Sequence, residues 1–66
     1  MRNTIKIERA KKNITQAELA TVLNVSRLTI HSIEAGKFNP SALIVLKMAR
    51  YFNIAVEELF ILDETD

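Results

Sequence analysis

The chain has 66 residues, 48% of them hydrophobic and 26% charged, with a formal net charge of +1 and no cysteine. That composition suits one small folded domain spanning residues 1–66, and it excludes a disulfide framework, a thiolate metal site and a disordered polyelectrolyte. No apolar run approaches the ~20 residues of a membrane span and no signal segment leads the chain, so a cytoplasmic protein that does not enter a membrane is expected.

The first helix is predicted over about residues 4–12, with Asn3 as its N-cap, Ile7, Ala10 and Ile14 on its inner face, and Asn13 as its stop. Thr15 and Glu18 make a capping box, in which hydroxyl and carboxylate satisfy backbone donors, so a second helix starts at Gln16. Leu19, Ala20 and Leu23 share one face of it, and Ile30 and Ile33 share one face of a third helix behind the capping Ser26. Val25 fills the corner, and Asn24 is one of the few side chains that tolerate the left-handed turn the corner needs. Two short helices packed across a tight turn are a helix-turn-helix, with Arg27, Leu28, Thr29, His31 and Ser32 left on the outer side of the second.

Gly36, the only glycine, ends the third helix, and Pro40 with the capping Ser41 opens a fourth. From Ala42 to Phe52 only Lys47 and Arg50 are charged, so this helix is expected to be mostly buried, with Met48, Tyr51 and Phe52 in the core. Asn53 stops it, and VEELF makes a short fifth helix whose Glu57 and Glu58 suit the positive end of its dipole. The apolar residues after it suggest an extended segment able to pair with residues 1–4. The fold class expected is all-α, five compact helices with a small two-stranded sheet from the terminal segments.

The net charge hides a division. Residues 57–66 carry five acidic side chains and no Lys or Arg, so residues 1–56 hold nine positive and three negative groups. A body this basic can orient on a polyanion with the acidic, solvated tail turned away. One His and no Cys leave no basis for a transition-metal site or a His-based nucleophilic triad, so no enzyme activity, cofactor, metal or small-molecule ligand is expected.

The stretches IKIERAKKNITQAELA, NVSRLTIHSIEAGKFNPS and LKMARYFNIAVEELF together resemble the phage repressor and Cro class of helix-turn-helix regulators, the XRE family. In layout the chain looks most like the short dimeric repressors of that class, such as the cytolysin-operon repressor. The resemblance implies a regulator of transcription that inserts its third helix in the major groove of double-stranded DNA. It puts a phosphate contact on Gln16 and base-facing roles on Arg27, Leu28 and Ser32, with Thr29 and His31 beside them. Lys37, Asn39 and Ser41 correspond to the family's second phosphate-holding segment, and Arg9 with Glu34 to its internal ion pair. Arg27 suits guanine O6 and N7, whereas Leu28, standing where glutamine is frequent, suits a thymine methyl group. Glu8 stands where an apolar residue is common.

The apolar surplus after residue 55 predicts a homodimer through Val56, Leu59, Phe60, Ile61 and Leu62, whose two-fold symmetry would select a near-palindromic site, and the resemblance implies that it acts there as a repressor. The alternative is a protein-interaction module, an antitoxin or coactivator, using the same fold.

Overall fold

The computed structural model describes residues 1–66. Its elements are β1 (Arg2–Asn3), α1 (Ile5–Lys12), α2 (Gln16–Leu23), α3 (Arg27–Glu34), α4 (Ala42–Phe52), α5 (Val56–Leu59) and β2 (Phe60–Ile61).

Three helices stop on asparagine in the left-handed region: Asn13 at φ 55°, Asn24 at φ 58° and Asn53 at φ 56°. Each is followed by a β-branched apolar residue whose amide turns back into the last helical turn: Ile14 to Arg9 O (3.1 Å), Val25 to Ala20 O (3.0 Å) and Ile54 to Ala49 O (3.1 Å). Those three side chains pack against the core, so one Asn-Ile/Val dipeptide both ends the helix and buries its exit. The starts are equally local. Glu18 N donates to Thr15 Oγ1 and Thr15 N to Glu18 Oε1, both at 3.0 Å, which completes the capping box. Thr15→Ala is expected to cost about 1 kcal/mol, read as a fall in Tm of about 4 to 8 °C for a domain of this size.

The core contains Ile5, Leu19, Ala20, Leu23, Ile30, Ile33, Met48, Ala49, Phe52, Leu59 and Phe60, and no polar or charged residue. β1 pairs antiparallel with β2, Arg2 opposite Ile61 and Asn3 opposite Phe60, which closes the two ends of the chain over the helices. Asn3 extends that closure. Its Nδ2 donates to Ile33 O (3.0 Å) at the end of α3, and its Oδ1 accepts from Ile5 N (3.2 Å) at the start of α1. Thr4, not Asn3, occupies the N-cap position, and its hydroxyl donates to Glu58 O (2.9 Å) instead of capping.

Three expectations are corrected by this arrangement. The inner stripe of α1 is Ile5, Glu8 and Arg9, not Ile7, Ala10 and Ile14; Ile7 and Ala10 are exposed, and Ile14 packs on the core from beyond the helix. The stripe is mostly charged because each charge finds a partner: Glu8 takes Lys11 (3.1 Å) and Arg9 takes Glu34, while the exposed Lys12 places its Nζ 4.9 Å from the centre of the Tyr51 ring. Helix α4 is not buried all round, since Leu43 and Leu46 are 60% and 61% exposed on the outer face. Leu59 and Phe60, expected at a dimer interface, are 0% and 8% exposed within the protomer's own core. Leu59 ends α5 and Phe60 opens β2, and both side chains complete the protomer's own core.

The acidic tail is also less free than a solvated run of carboxylates. Asp63 accepts from Arg2 Nε (2.9 Å), and the Met1 amine lies 3.3 Å from Asp63 Oδ2 and 3.0 Å from Asp66 Oδ2. Hydrogen bonding to Asp66 raises the amine pKa above its ordinary value, against the opposing effect of burial.

Candidate nucleic-acid interface

Ser26 starts α3 by accepting from Thr29 N (3.1 Å), and its hydroxyl also bonds the Thr29 hydroxyl (2.9 Å). This fixes the first turn and commits Thr29, which is half-buried, to the cap rather than to the outer surface. With Ile30 and Ile33 turned into the core, the helical period leaves Arg27, Leu28 and His31 exposed and Ser32 half-buried beside them. Leu28 is 66% exposed, a large apolar side chain at the end of α3 where the helix meets solvent.

Beneath the far end of α3 lies a charged network with little access to water. Arg9 Nε donates to Glu34 Oε2 (2.6 Å) and Nη2 to Glu34 Oε1 (3.0 Å), a bidentate pair whose side chains are 14% and 8% exposed. Arg9 Nη1 donates to Ile14 O (2.9 Å), and the hydrogen bonds to Glu34 hold the guanidinium pKa above its ordinary value. Gln16 joins the network by donating Nε2 to Glu34 Oε1 (3.2 Å), so the first side chain of α2 is oriented by the last residue of α3. Every buried side-chain nitrogen and oxygen has a partner.

The chain then reverses. Gly36 at φ 75° lets Lys37 N return to Ser32 O (3.0 Å), which lays Lys37 and Phe38 back along α3. Lys37, Asn39 and Ser41 are exposed, and Ser41 Oγ accepts from Ile44 N (3.3 Å) as the cap of α4. The loop therefore ends in the N-terminus of α4, whose first amides carry a partial positive charge.

Two residues of this surface escaped the sequence reading. Lys6 lines a cleft of about 240 Å³ with Gln16, His31 and Glu34, residues of α1, α2 and α3 that the Arg9–Glu34 pair and the Gln16–Glu34 hydrogen bond help to draw together. Phe38 is 51% exposed and lines a second groove with Leu28. Its signal was a lone aromatic in a polar loop, one residue past the glycine reversal. By contrast the expected dimer residues do not gather on one free surface: Leu59 and Phe60 are buried, Val56 and Ile61 are half-buried, and Leu62 is 74% exposed.

A helix-turn-helix family profile matches residues 5–59. The chain is 50% identical over 66 residues to an uncharacterized HTH-type transcriptional regulator of Archaeoglobus fulgidus, covering all of this chain and 93% of that one. It is 42% identical over 66 residues to an uncharacterized HTH-type transcriptional regulator of Methanocaldococcus jannaschii, covering the whole of both. Among solved structures it is similar to the restriction-modification controller protein C.AhdI from Aeromonas hydrophila, with a TM-score of 0.75, 30% identity and 85% of each chain covered.

Proposed function

The chain belongs to the helix-turn-helix family, in its phage-repressor or XRE class, and on that premise we propose that it is a sequence-specific, DNA-binding regulator of transcription that acts as a homodimeric repressor. The observation that carries this reading is the charge of the outer face of α3 and its loop. Arg27 and Lys37 are exposed there, while Glu34, the only carboxylate between residues 26 and 41, is turned inward and held by Arg9. Such a face attracts a polyanion and presents no free carboxylate to a phosphate.

In this reading Arg27 donates to guanine O6 and N7, and Leu28 contacts a thymine methyl group. Ser32 and His31 lie along the same side of the helix. Gln16, with the free amides of the first turn of α2, holds one phosphate, and Lys37, Asn39 and the N-terminus of α4 behind Ser41 hold another. Phosphate contacts set the register, and base contacts choose the sequence.

The surface offered to a second copy is the corner of α4 and α5. Leu43, Leu46 and Arg50 follow one another at helical spacing on the outer face of α4, and Arg50 and Val56 line one groove of about 600 Å³. Leu46→Glu is expected to weaken the dimer by about 3 to 6 kcal/mol, because the residue counts twice across a two-fold axis at roughly 1.5 to 3 kcal/mol each. Sedimentation of the variant reads this directly, with circular dichroism showing that the helices are kept. A wild-type chain that remains monomeric at high micromolar concentration would remove the dimer from the proposal.

Selection of bound DNA from a random pool tests the function. Enrichment of a near-palindrome with half-sites one helical turn, about 34 Å, apart supports it. Recovery of a stoichiometric protein partner from native cytoplasm, with no enriched DNA, rejects it in favour of a protein-interaction module.

A further inference from the structure

We infer that Phe38 is a specificity-determining residue, and that Leu28 and Phe38 form the two walls of a cleft that takes the methyl group of a thymine. This rests on the DNA-binding reading above and adds a residue from outside the recognition helix to it. The groove is about 340 Å³ and is lined by Leu28, Thr29, Ser32, Lys37 and Phe38. Its two large apolar side chains are 66% and 51% exposed, neither belongs to the core, and they come from different elements.

The placement has a backbone cause. At the three asparagine stops the residue that turns back is Ile or Val and packs inward. At the fourth stop, Gly36, it is Lys37, which stays exposed while Lys37 N bonds Ser32 O (3.0 Å). The loop is thereby laid beside Ser32, one turn after Leu28 on the same side of α3, and Phe38 faces that side with no core to enter.

The chemistry of the lining selects the occupant. No carboxylate lines the groove, its one charge is Lys37, and its hydroxyls are Thr29, committed to the Ser26 cap, and Ser32. A cation at the rim of an apolar slot fits a base edge next to its phosphate. In the major groove the one apolar group on a base edge is the thymine methyl. Burying it fully between two walls is equivalent to removing about one methylene from water, about fourfold in affinity per half-site and about sixteenfold for a dimer on two half-sites.

The experiment uses the selected operator and a copy in which each thymine is replaced in turn by uracil, which differs only in lacking the methyl group. For the wild-type chain one thymine position per half-site is expected to show the fourfold preference. Phe38→Ala is expected to reduce that preference to about twofold at that position and no other, leaving the slope of log affinity against log salt unchanged. Phe38→Leu, which keeps an apolar wall, is expected to restore most of it. Phe38 is exposed in a loop, and unchanged melting of both variants is the check on folding. Equal loss on thymine and uracil sites would overturn the inference, since Phe38 would then be acting on the backbone or the loop. Wild-type binding to the selected operator with no thymine-over-uracil preference would overturn it while sparing the DNA-binding reading. Full affinity and preference in Phe38→Ala would also overturn it, leaving the methyl contact to Leu28 alone. Absence of any selected operator would end both.

Discussion

Glu34→Ala is expected to destabilise the fold by about 3 to 5 kcal/mol, which for a chain this small approaches the whole stability of the native state. The cause is the residue left behind. Arg9 is 14% exposed and gives two hydrogen bonds to Glu34, so removing the carboxylate strands a guanidinium among α1, α3 and the Ile14 carbonyl. Gln16 loses its acceptor in the same step. Arg9→Ala should cost a similar amount by stranding Glu34, and Arg9→Lys should recover only part of it, because an ammonium lacks the planar fork that meets both oxygens and Ile14 O together. The control is a pair in which both partners reach water. Arg2 is 70% and Asp63 37% exposed, so Arg2→Ala should change stability by only about 0 to 1 kcal/mol. Chemical denaturation of the four variants checks the ranking, and a Glu34→Ala chain that melts with the wild type would show that the pair contributes nothing.

The second large effect separates the reading of sequence from the holding of backbone. Arg27→Ala should lose about 1 to 3 kcal/mol per half-site on the selected operator, and much less on unrelated DNA, because a bidentate contact to guanine is made only where guanine is present. On a dimer the loss is counted twice. Lys37→Ala should weaken all DNA about equally and make the plot of log affinity against log salt shallower by about 0.9 for each phosphate contact removed. Both side chains are exposed and neither touches the core, so folding does not confound the comparison. If the two variants weaken specific and unrelated DNA alike, α3 does not read bases in this protein, and the protein-interaction alternative becomes the better account.

The sequence by itself determined the joints. The Thr15–Glu18 box, the Ser26 and Ser41 caps, the asparagines at 13, 24 and 53 and the glycine at 36 are all where a linear reading puts them. The reason is range: each is closed by hydrogen bonds within five residues of chain, so local chemistry suffices. The inward faces of α2 and α3 were legible too, because Leu19, Ala20 and Leu23, and Ile30 and Ile33, each recur at helical spacing, whereas Val22 and Leu28 stand off those stripes and stay exposed.

What the tertiary structure decided is which of two competing faces turns inward, and what lies beside what. Helix α1 offers Ile7 and Ala10 on one side and Ile5 on another, and the contest goes to Ile5 because Arg9 on that same side reaches Glu34, 25 residues away. Helix α4 has more apolar surface than one side of a 66-residue body can cover, so Leu43 and Leu46 remain outside. Leu59 and Phe60 were spent on the core once β2 paired with β1 across nearly the whole chain. Lys6 beside Gln16, and Phe38 beside Leu28, are likewise products of docking rather than of spacing. Periodicity states that a stripe exists, whereas the partner that covers it is set by contacts whose sequence separation no local pattern encodes.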